Sequence, residues 1–289
     1  MSDTTAAATP PPEPDAAPVG APPALPPVLG LSFTPTPVAG SGRPKSFAII
    51  GKSKAGKTRL GGSSSEIRGM VAAGKKTLIL ENEAGTASIA NEFPRAEQFA
   101  FTNHLGFMRA INELLTVKHD YGTIVLDTFD KFQEYAETYY LSLYPSDTRK
   151  AYGELKKWTL QIADALHKAP FFVIFLFHST DNRDEKTGVV TTTFKLVGSA
   201  GDTIGQTFDL IAHLTVEDGP DGLPQRVLQL GPKTNHVSGN RWESVLPNKM
   251  VNATIPLIFD IIDGTIPAPE VPVSITQPTP APITITTQK

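Results

Sequence analysis

The chain has no cysteine. A disulfide framework, a thiol nucleophile and a zinc–thiolate centre are therefore excluded, and a reducing cytoplasm is the expected setting. Long apolar runs are absent as well. The longest, Phe171–Phe177, falls far short of the roughly 20 residues needed to cross a bilayer, so no membrane partner is expected. The beginning of the sequence shows neither the basic stretch nor the apolar stretch of a secretory leader. Its six histidines, at 104, 119, 167, 178, 213 and 236, include no pair at metal-ligand spacing. An excess of either basic or acidic residues is lacking too. Residues 45–264 hold 24 basic and 25 acidic side chains, a balance that argues against coating nucleic acid by bulk charge.

What is abundant is proline, and it is unevenly spread. Twelve of the 26 prolines lie in residues 1–44 and six more in 265–289. Residues 1–42 contain no Lys or Arg, only Asp3, Glu13 and Asp15 in a Pro/Ala background. Such segments cannot bury enough apolar surface to offset their ordering entropy. The expectation is a disordered N-terminal segment over 1–44, one α/β domain over 45–264 and a disordered Pro/Thr-rich tail over 265–289. About 220 central residues suffice for one well-packed core.

That central part opens on a chemical motif. The apolar run Phe47-Ala-Ile-Ile50 reads as a buried strand, and it runs into Gly51-Lys52-Ser53-Lys54-Ala55-Gly56-Lys57-Thr58, the phosphate-binding loop pattern. The glycines let successive backbone N–H groups turn inward around phosphate oxygens. Lys57 is placed to bridge the β- and γ-phosphates, and the Thr58 hydroxyl to hold Mg²⁺. The alternative is a Gly/Lys-rich surface turn.

Further along, Thr123-Ile-Val-Leu-Asp127 presents a carboxylate at the end of a continuous apolar strand, the Walker B pattern and the second expected metal ligand. The alternative for Asp127 is an ordinary N-cap of a helix beginning near Lys131. Lys76-Thr-Leu-Ile-Leu-Glu81-Asn-Glu83 is another strand, ending in two acidic residues that share a face. Glu83, beside Gly85, is placed to orient and deprotonate an attacking water; the plainer reading is a solvated strand end. A fourth strand, Phe171–Phe177, leads into His178, which can touch a γ-phosphate or serve as a structural histidine.

In this order, the pieces resemble the RecA-like ATPase core. More narrowly, the chain is similar to small bacteriophage-type RecA-like recombination ATPases, the AAA-type family associated with single-strand annealing. The likeness runs from about Phe47 to Met250 and includes a late Gln229-Leu-Gly-Pro-Lys-Thr234 and Asn240-Arg241-Trp242 stretch. It implies a three-layer P-loop NTPase fold with a mainly parallel sheet and antiparallel edge strands. It also implies ATP and Mg²⁺ as cofactors, Glu83 as the water-activating carboxylate and His178 as the γ-phosphate sensor. Members assemble as rings or filaments with nucleotide between subunits, so a homo-oligomer is implied. Lys233 and Arg241 are candidates for the basic residue reaching a neighbour's phosphates, or are solvated surface charges.

The resemblance further implies single-stranded DNA as a partner, in recombination or replication, with the host cytoplasm as location for a phage protein. The segment after His178 is long and polar, as a DNA-binding loop should be. Yet Arg183, Lys186 and Lys195 face Asp181, Asp184, Glu185 and Asp202, a poor match to a phosphate backbone. A β-hairpin with Val189–Phe194 as one arm fits at least as well. Leu155, Trp158, Ile162 and Leu166 mark the core face of a helix over 148–168. Two strands near 208–216 and 226–230, joined by the turn Asp218–Gly222, extend the sheet antiparallel. Two other functions fit the same loop: a nucleotide-gated binding switch with little turnover, and a P-loop kinase of a small substrate.

Overall fold

In the computed structural model each apolar strand divides its side chains between two faces. In the first strand, β1 (Ser46–Gly51), Ala48 and Ile50 enter one core while Phe47 and Ile49 enter the other. This period-two division recurs in every central strand, and helices cover both faces. The structure describes residues 44–82 and 85–267. The expectations for both proline-rich segments fall almost wholly outside the described residues.

After β1 the chain forms α1 (Lys57–Gly62), α2 (Arg68–Ala72), β2 (Lys76–Glu81), β3 (Ala96–Ala100) and α3 (His104–Thr116). Next come β4 (Tyr121–Asp127), α4 (Phe129–Leu143) and α5 (Thr148–His167), then β5 (Phe172–Arg183) and β6 (Val190–Phe194). The last part holds α6 (Gly201–Ile204), β7 (Leu210–Asp218), β8 (Pro224–Gln229), β9 (Gly239–Asn240), β10 (Lys249–Val251) and α7 (Ile255–Ile262).

The sheet order is β10-β8-β7-β1-β5-β4-β2-β3. Strands β7, β1, β5, β4, β2 and β3 are parallel, and β8 and β10 add antiparallel at one edge. The expected three-layer, mainly parallel RecA-like architecture is what the chain adopts. One core packs Phe107, Phe129, Phe132, Trp158, Phe175 and Phe177 beneath α3, α4 and α5. The other packs Phe47, Phe172, Leu60, Ile258 and Phe259 beneath α1 and α7. Among the described residues no helix is long and apolar enough to cross a membrane.

Several local expectations are corrected. The strand expected to stop before His178 continues to Arg183, and its extension pairs antiparallel with β6, Ser179 opposite Phe194. The polar segment is thus a hairpin, because Phe194 is buried and fixes its register. Strand β2 ends at Glu81, so Glu83 lies beyond it. Asp127 is the last residue of β4, while the N-cap of α4 is Thr128.

Helix α1 lies close on the sheet, since a Cβ on Gly61 would stand 2.9 Å from Cγ1 of Val125 and 3.3 Å from Cδ1 of Leu176. Val125 is β-branched and fully buried, so it yields little. Gly61→Val should therefore destabilise the fold by about 1–3 kcal/mol through overpacking, read by equilibrium urea unfolding. A change below about 0.5 kcal/mol would show that α1 can lift without cost.

Candidate functional site

The loop leaving β1 needs its glycines for reasons of space. A Cβ on Gly51 would stand 2.8 Å from the carbonyl oxygen of Leu214 on the adjacent β7. Gly56 has φ +99°, and a Cβ there would overlap the Arg226 side chain. Lys54 also takes a positive φ of 63°. Lys57 is buried, and its Nζ donates to the carbonyls of Gly51 (3.0 Å) and Lys52 (2.9 Å), arching back across the loop. The loop's shape is thus tied to its own lysine.

The Thr58 hydroxyl donates to Oδ2 of Asp127 at 2.6 Å. Asp127 lies on β4, which is separated from β1 by β5, so the bond spans a whole strand. The loop after β2 is stitched to the same place. Asn82 donates its backbone N–H to the Asp127 carbonyl (3.3 Å) and its Nδ2 to the Thr128 carbonyl (3.1 Å). Glu81 is buried and accepts from the backbone N–H and hydroxyl of Thr86, so its carboxylate anchors the loop. Glu83 itself lies outside the described residues, between Asn82 and Gly85.

His178 stands opposite Gly51 in the β1–β5 register. Its backbone N–H donates to Oδ1 of Asp130 (2.9 Å), and its Nδ1 pairs with Oδ2 of the same carboxylate (2.9 Å). Burial pushes the Asp130 carboxyl up, but the hydrogen bonds from His178 outweigh this and hold it below the usual range. With Nδ1–H committed to Asp130, the other ring nitrogen is the one left for a ligand. A cavity of about 500 Å³ brings together Lys57, Thr58, Gly85, Asp127, His178 and Arg226.

The two late basic candidates separate. Arg241 lies 3.2 Å from Asp209, whose other oxygen accepts from the N–H groups of Lys45 and Ser46. It therefore sits at the start of β1, away from the phosphate loop. Lys233 is on the loop side, near His213 and His236. Three residues at this end carried no signal in the linear pattern: Arg226, Asn252 and His213. Only the pairing of β8 with β7 brings Arg226 over Gly56.

A family model described as an AAA domain matches residues 43–242, most of the chain and all of the site just described except Asn252. The chain belongs to the AAA domain family. It is accordingly an AAA-type P-loop NTPase. No curated protein matches the chain. The residues present fit ATP with Mg²⁺, a ligand this family typically binds. Buried Lys57 and the loop's backbone donors suit phosphate oxygens, and Thr58 with Asp127 forms a hard oxygen pair. Mg²⁺ keeps several waters and takes few protein ligands, so such a pair is enough.

His213 on β7 is buried, and neither ring nitrogen has a hydrogen-bond partner among the described residues. Its ring meets His236 at 4.4 Å. Burial, then His236, Lys233 and Lys52, lower its pKa to about 4 against the opposing pull of Asp181. Because the folded state resists protonation, this contribution is complete above pH 6.5 and is lost as pH falls toward 4. Wild type should lose about 2 kcal/mol from this group between about pH 7.5 and 5, and His213→Leu should remove that part of the slope, in urea unfolding at both pH values. An unchanged slope would rule out His213 as the source.

Proposed function

We propose that the protein is a Mg²⁺-dependent ATPase whose turnover is coupled to binding or annealing single-stranded DNA in phage recombination or replication. The observation that carries the ATPase reading is the 2.6 Å bond from Thr58 to Asp127 beside a buried Lys57.

In this reading the backbone from Gly51 through Lys52, Ser53, Lys54, Ala55 and Gly56 donates to the phosphates, and Lys57 moves from the loop carbonyls to the β- and γ-phosphate oxygens. Thr58 and Asp127 hold Mg²⁺, which supplies charge neutralisation across the phosphates. Glu83 takes the proton of the attacking water. Its neighbours support this: Asn82 bonds to the backbone at Asp127 and Gly85 lines the cavity. Asp130 is less suited to that task, since both of its oxygens are engaged by His178.

His178 contacts the γ-phosphate and reports its loss. Because β5 continues from His178 into the β5–β6 hairpin, a change in that contact is delivered along one strand to the polar segment that would meet DNA. A ring or filament completes the site, with Lys233 the better placed of the two late basic residues, since Arg241 is paired with Asp209.

The test is ATP hydrolysis by the full chain at low salt, with and without single-stranded DNA. Lys57→Ala should abolish turnover. Glu83→Gln should bind ATP but hydrolyse it at least about 100-fold more slowly, the scale of a lost general base. Normal hydrolysis by Glu83→Gln would remove Glu83 from this role. Turnover indifferent to DNA would remove the coupling, and phosphorylation of an added acceptor would make the protein a kinase.

A further inference from the structure

The Asp130–His178 pair fixes more than the pose of a ring. Asp130 lies in the first turn of α4 and is almost fully buried. Burial pushes its carboxyl up, yet the bonds from His178 hold it below the usual carboxylate range, so it is ionised at neutral pH. An ionised carboxylate accepts hydrogen bonds and donates none. Its Oδ1 is taken by the backbone N–H of His178 and its Oδ2 by Nδ1, each at 2.9 Å. Nδ1 therefore carries a proton. In the neutral ring Nε2 then has none, and is itself an acceptor.

This sets a condition on the ligand. Phosphate oxygens are acceptors, so an unprotonated Nε2 repels them. We propose that Asp130 is a positioning residue that lets His178 meet a γ-phosphate only as a doubly protonated ring, so that binding ATP, and not ADP, draws a proton from solvent onto Nε2. That proton returns to solvent when the γ-phosphate leaves. The inference rests on the reading of His178 as the γ-phosphate contact and adds the charge state in which the contact is made.

The surroundings of the ring suit this role. Asp130 grips both the backbone and the ring of His178, so the ring cannot turn over to exchange its nitrogens without breaking the pair. The same carboxylate is the opposite charge that an imidazolium needs beside it. The ring is partly exposed in the wall of the phosphate cavity, so water can deliver the proton. Lys54, Lys57, Arg59, Glu92, Asp127 and Arg226 line that cavity too. Lys195, whose backbone N–H donates to the His178 carbonyl (2.9 Å), turns its ammonium toward Glu134 at 3.6 Å. All of these charges are common to wild type and to a variant changed only at His178, so a comparison at that residue cancels them.

Calorimetric titration of the full chain with Mg²⁺ and either ADP or the slowly hydrolysed γ-thio analogue of ATP tests this, in buffers of different ionisation enthalpy. Because the phosphate favours the charged ring, the preference for the triphosphate is complete at low pH and lost as pH rises. In wild type it should fall at least about tenfold between about pH 6 and 9, with more proton uptake for the triphosphate than for ADP. His178→Gln, whose amide donates without titrating, should keep the preference, flatten its fall to less than about twofold and abolish the extra uptake. Asp130→Asn should flatten the fall while the imidazole stays, because its amide nitrogen donates to Nδ1 and leaves the ring proton on Nε2. A carboxylate with only a structural role would give no such change, and His178→Gln alone decides if Asp130→Asn does not fold. No extra proton uptake by wild type, or a fall that survives in either folded variant, would overturn the proposal and leave the γ-phosphate contact standing. An undiminished preference for the triphosphate in His178→Ala would overturn that contact, and binding of neither ligand would overturn the nucleotide reading itself.

Discussion

The Thr58–Asp127 hydrogen bond closes the site across a strand that contributes neither partner. Because β5 lies between β1 and β4, the phosphate loop and the Walker B carboxylate are about two strand spacings apart, and a 2.6 Å bond between them is met only if all three strands end in register. The burial of β1, of β4 from Gly122 onward and of the first half of β5 secures that register, since a one-residue slip would turn every apolar side chain to the wrong face. The same register sets His178 opposite Gly51, and Asp130, in the first turn of α4, reaches back to hold it. The chemistry at the strand ends thus depends on the alternation of residues within the strands.

Much of this was legible in the sequence because it is local. A phosphate loop needs glycine where the chain turns tightly against β7 and lysine six residues after the first glycine, and both demands fall within eight consecutive residues. The apolar runs of β1, β4 and β5 are legible because strands covered on both faces cannot alternate with polar residues. Edge strand β3 was not: Ala-Glu-Gln-Phe-Ala is mostly exposed and shows no buried face. The β5 extension was missed for a related reason, since Ser179–Arg183 is polar and becomes strand only by pairing with β6.

The functional side chains divide in the same way. Lys57, Thr58 and Asp127 sit in motifs, and the structure brings them together. Arg226 is invisible until the β7–β8 hairpin folds it over Gly56, and Asn252 gains meaning only from the two bonds it makes 26 residues back along the chain. Of the two acidic residues at the end of the second strand, Glu83 was the candidate base, for its place beside Gly85. The structure describes Glu81 alone of this pair, and it is buried and spent on Thr86. An AAA-type core thus emerges from local motifs, and its individual features from long-range contacts.

The central claim is that Thr58 and Asp127 act as one metal-binding unit beneath a triphosphate. Direct detection of a paramagnetic substitute tests it: electron–nuclear spectroscopy of the full chain with ATP and Mn²⁺ in place of Mg²⁺. The account predicts one Mn²⁺ per chain coupled to ATP phosphorus, with its affinity lowered at least about tenfold in Asp127→Asn, the scale of a lost ligand or its support. A Mn²⁺–ATP signal of undiminished affinity in that variant would contradict it.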